Sequence, residues 1–386
     1  MFMKPGEQDT SLSRRDFIRT LVLLGGAVAV SSLLDACSSA GVKSTGDVTA
    51  ANTGQTITPT RIVPQKQDTI MDATQTSEGT QAFESGTTQV AFVKTRDRTD
   101  GVLRAIDTLG INPVNGKRVF LKPNFNSADP APGSTHPDIL RSLVLKLQEM
   151  GAQEITIGDR SGMGDTGQTM RKLGVFKLAE ELGVKTIVFD ELGAEDWVMV
   201  QPPGSHWAQG FPFARVCRDS GALVQACCLK THRLGGHFTM SLKNSVGMVA
   251  KWDRTNNYNY MTELHNSPHQ RSMIAEINFA YTPALIVIDG VEAFVTDGPA
   301  NGMRVQSDVI MAGTDRIAMD AVGVALLRHF GTTPEVSEGP IFQQEQIARA
   351  VELGLGVDGP EKIELVTADS ESANYAKQIK DVLLKG

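Results

Sequence analysis

From residue 88 onward, short β-rich apolar runs alternate with longer segments whose apolar positions recur at helical spacing. The runs Val90–Val93, Arg118–Leu121, Glu154–Ile157, Thr186–Phe189, Ala222–Ala226, Ala284–Ile288, Val309–Ala312 and Lys362–Val366 are predicted as strands. Helices are predicted over Gly101–Leu109, Pro137–Met150, Ile317–His329, Phe342–Leu353 and Ala373–Leu384. The clearest is Pro137–Met150, where Ile139, Leu140, Leu143, Val144, Leu147 and Met150 share one face. Thr135 and Pro137 suit its start, and Gly151 suits its stop. Near-continuous apolar strands set between helices predict an α/β fold, with a mostly parallel sheet covered on both faces. Residues 191–217 carry Trp197, Pro202, Pro203, Trp207 and Pro212 and interrupt the alternation. They are predicted as a long excursion, either a lid or a small subdomain. With no internal repeat and no clear break, 88–386 reads as a single α/β domain.

The chain ahead of this domain has a different character. Ser13-Arg14-Arg15-Asp16-Phe17-Ile18-Arg19 is a near-complete twin-arginine motif, followed by a short apolar run from Leu21 to Val30. That run is too short for a committed transmembrane helix. Leu34-Asp35-Ala36-Cys37 then resembles a lipobox. The expectation is a signal over 1–37, recognised by the twin-arginine export machinery, with Cys37 lipidated and the protein anchored to a membrane in the periplasm or cell envelope. The rival is cleavage near Ala36 to give a soluble periplasmic protein. Residues 38–87, rich in Ser, Thr, Gly and Gln, bury too little to offset their ordering entropy and read as a flexible tether. Twin-arginine cargo is exported folded, often with a cofactor inserted, which raises the expectation of one here.

Net charge and cysteine count narrow the function. A net charge of −7 without a Lys/Arg run argues against a nucleic-acid partner. Beyond Cys37 the cysteines are Cys217, Cys227 and Cys228. On a strand, adjacent Cys227 and Cys228 point to opposite faces and cannot share one pocket. No spacing matches a zinc or ferredoxin-type cluster motif. Both read as buried strand residues, and a disulfide from Cys217 to one of them stays open.

In open α/β sheets, ligands sit beyond the carboxyl ends of strands. Lys122-Pro123-Asn124, Gly158-Asp159-Arg160, Lys230-Thr231-His232 and Asp289-Gly290 are all predicted at such places. Glycine-rich 158–167 reads either as a phosphate cradle at a helix start or as a plain loop. The segment 230–251 gathers Lys230, His232, Arg233, His237 and Lys243 around Gly235-Gly236. Lys243 and Asn244 are expected to open a helix whose amides also favour an anion. Such a cluster suits a carboxylate or phosphate. The rival occupant is a metal ion held by His232, His237 and a nearby carboxylate or His265, although the nearby lysines would repel a cation. Of His265 and His269, one is expected to be functional and the other on the surface. Asp297-Gly298-Pro299 reads as a turn with Asp297 in reach of ligand, Asp315 as a helix N-cap, and Asp320 as an early helical residue explained by dipole and solvent.

These segments resemble, in order, the domain of unknown function 362 family. The carriers are Leu121-Lys122-Pro123-Asn124, Thr135-His136-Pro137, Ile157-Gly158-Asp159, Leu229-Lys230-Thr231-His232, Ser241-Leu242-Lys243-Asn244, Ile288-Asp289-Gly290, Asp297-Gly298-Pro299 and Asp315–Asp320. The resemblance covers roughly 88–370 and implies an α/β domain with a pocket around these residues. Some relatives carry ferredoxin-like iron–sulfur modules. This chain lacks the required cysteine runs, so no cluster is carried over.

The expected function is that of an exported enzyme acting on, or with, an anionic small molecule. Lys122, Lys230 and Lys243 would hold the anion, with Asn124, Asn244 and Asp297 nearby. His136, His232 and His265 are the acid–base candidates, and Asp159 and Asp289 would orient a histidine or bind a metal. The alternatives are a non-catalytic, envelope-tethered protein that binds a cofactor or a redox partner, and a structural envelope protein.

Overall fold

The computed structural model describes residues 86–162, 164–253 and 256–386. The twin-arginine motif, Cys37 and nearly all of the tether lie outside the described residues. The strands, in chain order, are β1 (Thr88–Lys94), β2 (Arg118–Lys122), β3 (Glu154–Asp159), β4 (Lys185–Val188), β5 (Trp197–Val200), β6 (Phe211–Ala214), β7 (Ala222–His232), β8 (His237–Thr239), β9 (Trp252–Asp253), β10 (Tyr258–Asn259), β11 (Pro283–Phe294), β12 (Arg304–Gly313) and β13 (Ile363–Val366). The main sheet has the order β13-β1-β12-β11-β7-β2-β3-β4, with β8 paired onto β7. Only β12 runs antiparallel to its neighbours along that order, pairing so with β1 and β11, while the remaining neighbours are parallel.

Alternation along the strands divides the interior into two cores, because successive side chains leave opposite faces of a sheet. Val90, Phe92, Cys227, Leu229, Ile286 and Ile288 pack on one face against the helices Arg316–His329 and Ser370–Lys385. Ala91, Val93, Val224, Ala226, Leu285 and Val287 pack on the other, against Arg98–Leu109 and Pro137–Glu149. Burial on both faces explains why these strands read as continuous apolar runs. The excursion at 191–217 resolves into the antiparallel β5–β6 hairpin. Trp207, Phe211 and Phe213 from it join Phe120, Tyr260 and Ile274 in a third core.

Two strands run further than their apolar runs. β7 continues through His232, so Lys230-Thr231-His232 lies within a strand and not beyond one; β8 returns against it, pairing Lys230 with Thr239 and His232 with His237. β11 likewise continues through Phe294, which places Asp289 mid-strand just before a register shift. The β7 extension is held by the tight hairpin to β8, and the β11 extension by β12 and by the contact of Phe294 with Lys230.

Helix ends mostly follow local chemistry. Asp315 caps Arg316–His329 by accepting from the amides of Ile317 and Ala318 (2.8 and 2.9 Å). The Pro137 helix is capped by His136, whose Nδ1 accepts from the Asp138 amide (3.1 Å), and not by Thr135. The Thr135 hydroxyl instead accepts from the Asn124 amide (2.7 Å) and donates to the Ala226 carbonyl (3.0 Å), tying the loop after β2 to β7. The segment expected as one helix from Phe342 divides into a turn at Ile341–Gln343 and the helix Glu345–Glu352.

Candidate functional site

A cavity of about 340 Å³ opens where β2, β3 and β7 deliver their last residues. Lys122, Asn124, Asp159, Lys230, His232, Lys243, Asn244 and His265 all line it, so eight of the residues expected at a site come together.

One wall is closed upon itself. The Lys122 ammonium lies 2.6 Å from Asp159 Oδ1 and donates to the Pro123 carbonyl (2.7 Å) and Asn244 Oδ1 (3.2 Å). Asp159 accepts in addition from the amides of Phe125 and Arg160, each at 2.7 Å. Burial pushes the Asp159 pKa up, against the pull of Lys122. The contact needs a glycine at 247: a Cβ there would stand 2.3 Å from Asp159 Oδ1 and 2.8 Å from Lys122 Nζ. Lys230 donates to Asn124 Oδ1 (3.1 Å) and to the Gly133 carbonyl, and burial lowers its pKa. Arg160 is buried, and its guanidinium is spent on the carbonyls of Val249 (2.7 Å), Ser161 (3.1 Å) and Val246. Burial pushes it down to about 10.

The opposite wall is open. Lys243 has no hydrogen-bond or ion-pair partner among the described residues. Burial, then the charges of Lys230 and Arg160, push its pKa down to about 7. His232 Nδ1 and Thr239 Oγ1 are buried without a partner among the described residues. Burial, followed by the field of Lys243 and Lys230, holds His232 well below its usual range and therefore neutral. His265 donates from Nδ1 to the Met261 carbonyl (2.7 Å), which leaves Nε2 as the ring's free lone pair; burial lowers its pKa as well. Gly236 makes room here: a Cβ on it would lie 2.5 Å from Lys243 Cε and 3.1 Å from His232 Nδ1.

Lys243 and Asn244 do not open a helix. They end the short turn Ser241–Asn244, whose first amides, Ser241 and Leu242, donate to the Asp320 carboxylate (2.7 and 3.1 Å). Those amides are therefore not free for a ligand, and recognition falls to side chains. Asp320 is fully buried, and burial pushes it up to about 8. Its place in the helix is thus explained by this cap and not by dipole and solvent. Gly323, one turn further on, lets the helix close onto the same segment, since a Cβ there would overlap Met240 Sδ.

Four of the expected residues fall elsewhere. Asp289 pairs with Arg98 (2.8 Å) within β11, and Arg98 also reaches Glu292 (3.3 Å). His136 stands near this second cluster as a helix cap, where burial and then the charge of Arg98 lower its pKa. His237 faces His232 across the β7–β8 pair with φ 58°, in the field of Arg271 and Glu345. Asp297, at φ 60°, turns its carboxylate to the Thr296 hydroxyl (3.0 Å) and offers its carbonyl to the Arg233 amide (2.7 Å); only its neighbours Pro299 and Ala300 line the cavity. The set His232, His237 and His265 is not assembled as a metal centre. Among the described residues no group of three or more His, Cys, Asp or Glu side chains is placed to hold a metal ion, and the lysines beside His232 oppose one.

The glycine-rich loop contributes Gly162 and Gly164 to the rim. Two amides of the helix after it are already served, which argues against a phosphate cradle there: Asp165 accepts from the Gln168 amide (2.7 Å) and Asp190 from the Thr166 amide (3.2 Å). His269 stacks on His206, with ring centroids 4.5 Å apart, away from the cavity. Cys217, Cys227 and Cys228 are free, buried thiols, each with its pKa raised by burial. Sequence reasoning missed Thr239 and Gly247 as contributors and gave Asp320 no part in the site. Only Asp320 carries a local signal, a lone charge in the otherwise apolar run Ile317–Leu327.

Fold and site together define an α/β protein with a basic pocket at the carboxyl ends of its central strands. The chain belongs to the family described as "Domain of unknown function (DUF362)", whose model matches residues 119–325, more than half of its length. It is 24% identical over 222 residues to a thylakoid-associated protein of Synechocystis sp., an alignment covering 55% of this chain and 64% of that protein, just under two thirds of its length. It also aligns with the lactate racemase apoprotein of Thermoanaerobacterium thermosaccharolyticum at a TM-score of 0.37 and 13% identity, covering 77% of this chain and 87% of that one. A likeness of that extent says nothing about the chemistry here.

Proposed function

We propose that this cavity binds a small anionic molecule and acts on it, with Lys243 meeting the anion and His232 and His265 as neutral acid–base partners. One observation carries the reading. Among the described residues, Lys122, Arg160, Lys230, Arg233 and Lys243 line the cavity with Asp159 as their one lining carboxylate, and Lys243, His232 Nδ1 and Thr239 Oγ1 lack partners. Buried polar groups left unpaired are costly, and an anion with acceptor oxygens would satisfy them. Lys122 takes the part of a scaffold, and Lys243 that of the ligand contact. The volume suits a small molecule. The cysteines do not favour a redox role, since buried thiols of raised pKa are poor thiolates.

The test is calorimetric titration of the protein with phosphate, propanoate and citrate. At least one should bind, and Lys243→Met should weaken it about tenfold or more. Absence of binding by all three, or binding indifferent to Lys243, overturns the reading.

For the setting of this activity, we propose export by the twin-arginine route and anchoring through a lipidated Cys37. Support comes from the motif Ser13–Arg19, the short apolar run and the Leu34–Cys37 box.

A further inference from the structure

We propose that Lys243 is a nucleophile that forms an imine with the carbonyl carbon of a small oxo acid. The inference rests on the anion-pocket reading and names its substrate class. The other lysines deep in this cavity are occupied: Lys122 by Asp159, Pro123 and Asn244, and Lys230 by Asn124 and Gly133. Lys243 alone among these three brings an uncommitted amine. Its backbone is held from behind by Asp320, through the amides of Ser241 and Leu242, so the amine is positioned by a buried support. The space left by Gly236 is shared by the Lys243 stem and the His232 ring, which puts an imidazole beside the amine. His265 adds a second ring with a free Nε2. The positive surroundings of Lys230, Arg160 and Arg233 select a carbonyl compound that also carries a negative charge. Consistent with this placement, the amine titrates near neutrality and so is available in its neutral form.

The step balances without an oxidant. The neutral amine attacks the carbonyl carbon, a C–N bond forms, and the C=O π pair moves to oxygen. A neutral imidazole relays a proton from the nitrogen to that oxygen, giving the carbinolamine. The C–O bond then breaks, and the hydroxyl leaves as water with the second nitrogen proton, closing the C=N bond.

The full-length protein is treated with pyruvate and borohydride and its peptides are mapped by mass, while binding of propanoate, which has the carboxylate but no carbonyl, is measured by calorimetry. The expected result is a reduced adduct on the peptide holding Lys243. It should be lost in Lys243→Arg, which cannot form the imine, and kept in Lys177→Met, a change at a surface lysine. Propanoate binding without any adduct overturns the imine and leaves the anion pocket standing. An adduct that survives Lys243→Arg, or that maps to another lysine, also overturns the imine. Neither binding nor adduct overturns the imine, and the anion pocket falls with it when phosphate and citrate also fail to bind.

Discussion

Two walls of one cavity carry similar residues and opposite electrostatics. On one, Lys122 and Asp159 neutralise each other, with Asn244 and backbone groups meeting their remaining valences. On the other, Lys243, His232 and Thr239 line the cavity with polar atoms unmet among the described residues. A lysine bound to a buried carboxylate is part of the scaffold, and its worth is felt when its partner is left alone. A lysine held near other cations without a carboxylate is destabilising in the empty protein and is suited to a ligand. Composition alone makes the two lysines equivalent, whereas their partners assign them different work.

The sharpest way to break this comparison is Lys122→Met. It strands Asp159 without its counter-charge and should cost about 3–5 kcal/mol in urea unfolding. If it costs no more than Lys243→Met, the two walls do not differ as described. Next in size, Asp320→Asn removes one acceptor from the amides of Ser241 and Leu242 and should cost about 1–3 kcal/mol. Because that turn presents Lys243, propanoate affinity should fall as well; an unchanged affinity would detach Asp320 from the site.

A smaller effect sharpens the open wall by its pH dependence. The folded pKa of Lys243, about 7, lies below its ordinary value of 10.5, so between the two the unfolded chain binds more protons and stability rises with pH. The penalty is complete below pH 7 and fades as pH climbs toward 10.5. Lys243→Met should therefore raise Tm by a few degrees at pH 6, with the gain shrinking by pH 9. A gain independent of pH would mean that Lys243 carries no such penalty. The smallest change to the folded domain is expected from Cys37→Ser, which should leave Tm unaltered and move the protein from the membrane to the soluble fraction. Continued membrane retention would remove the lipid anchor.

The sequence determined much of this protein. All eight predicted runs are strands of the main sheet; in the central ones burial on both faces demands an apolar residue at nearly every position and leaves that record locally. Lys122 and Asp159 were legible as strand-end residues, since β2 and β3 stop where their apolar runs stop. Tertiary structure decided the rest. Lys230 and His232 belong inside β7 because the hairpin to β8 extends it, and Asp289 belongs inside β11 because it pairs with Cys228 of β7 and Ile310 of β12. That Lys122 is neutralised by Asp159 while Lys243 stays free depends on side chains brought together from β2, β3 and the turn after β8. The cap on that turn comes from Asp320, 79 residues away from Ser241. Hydrophobic periodicity is a local property and survives in the sequence, whereas the partner of a buried charge is a contact, settled only when the chain is folded.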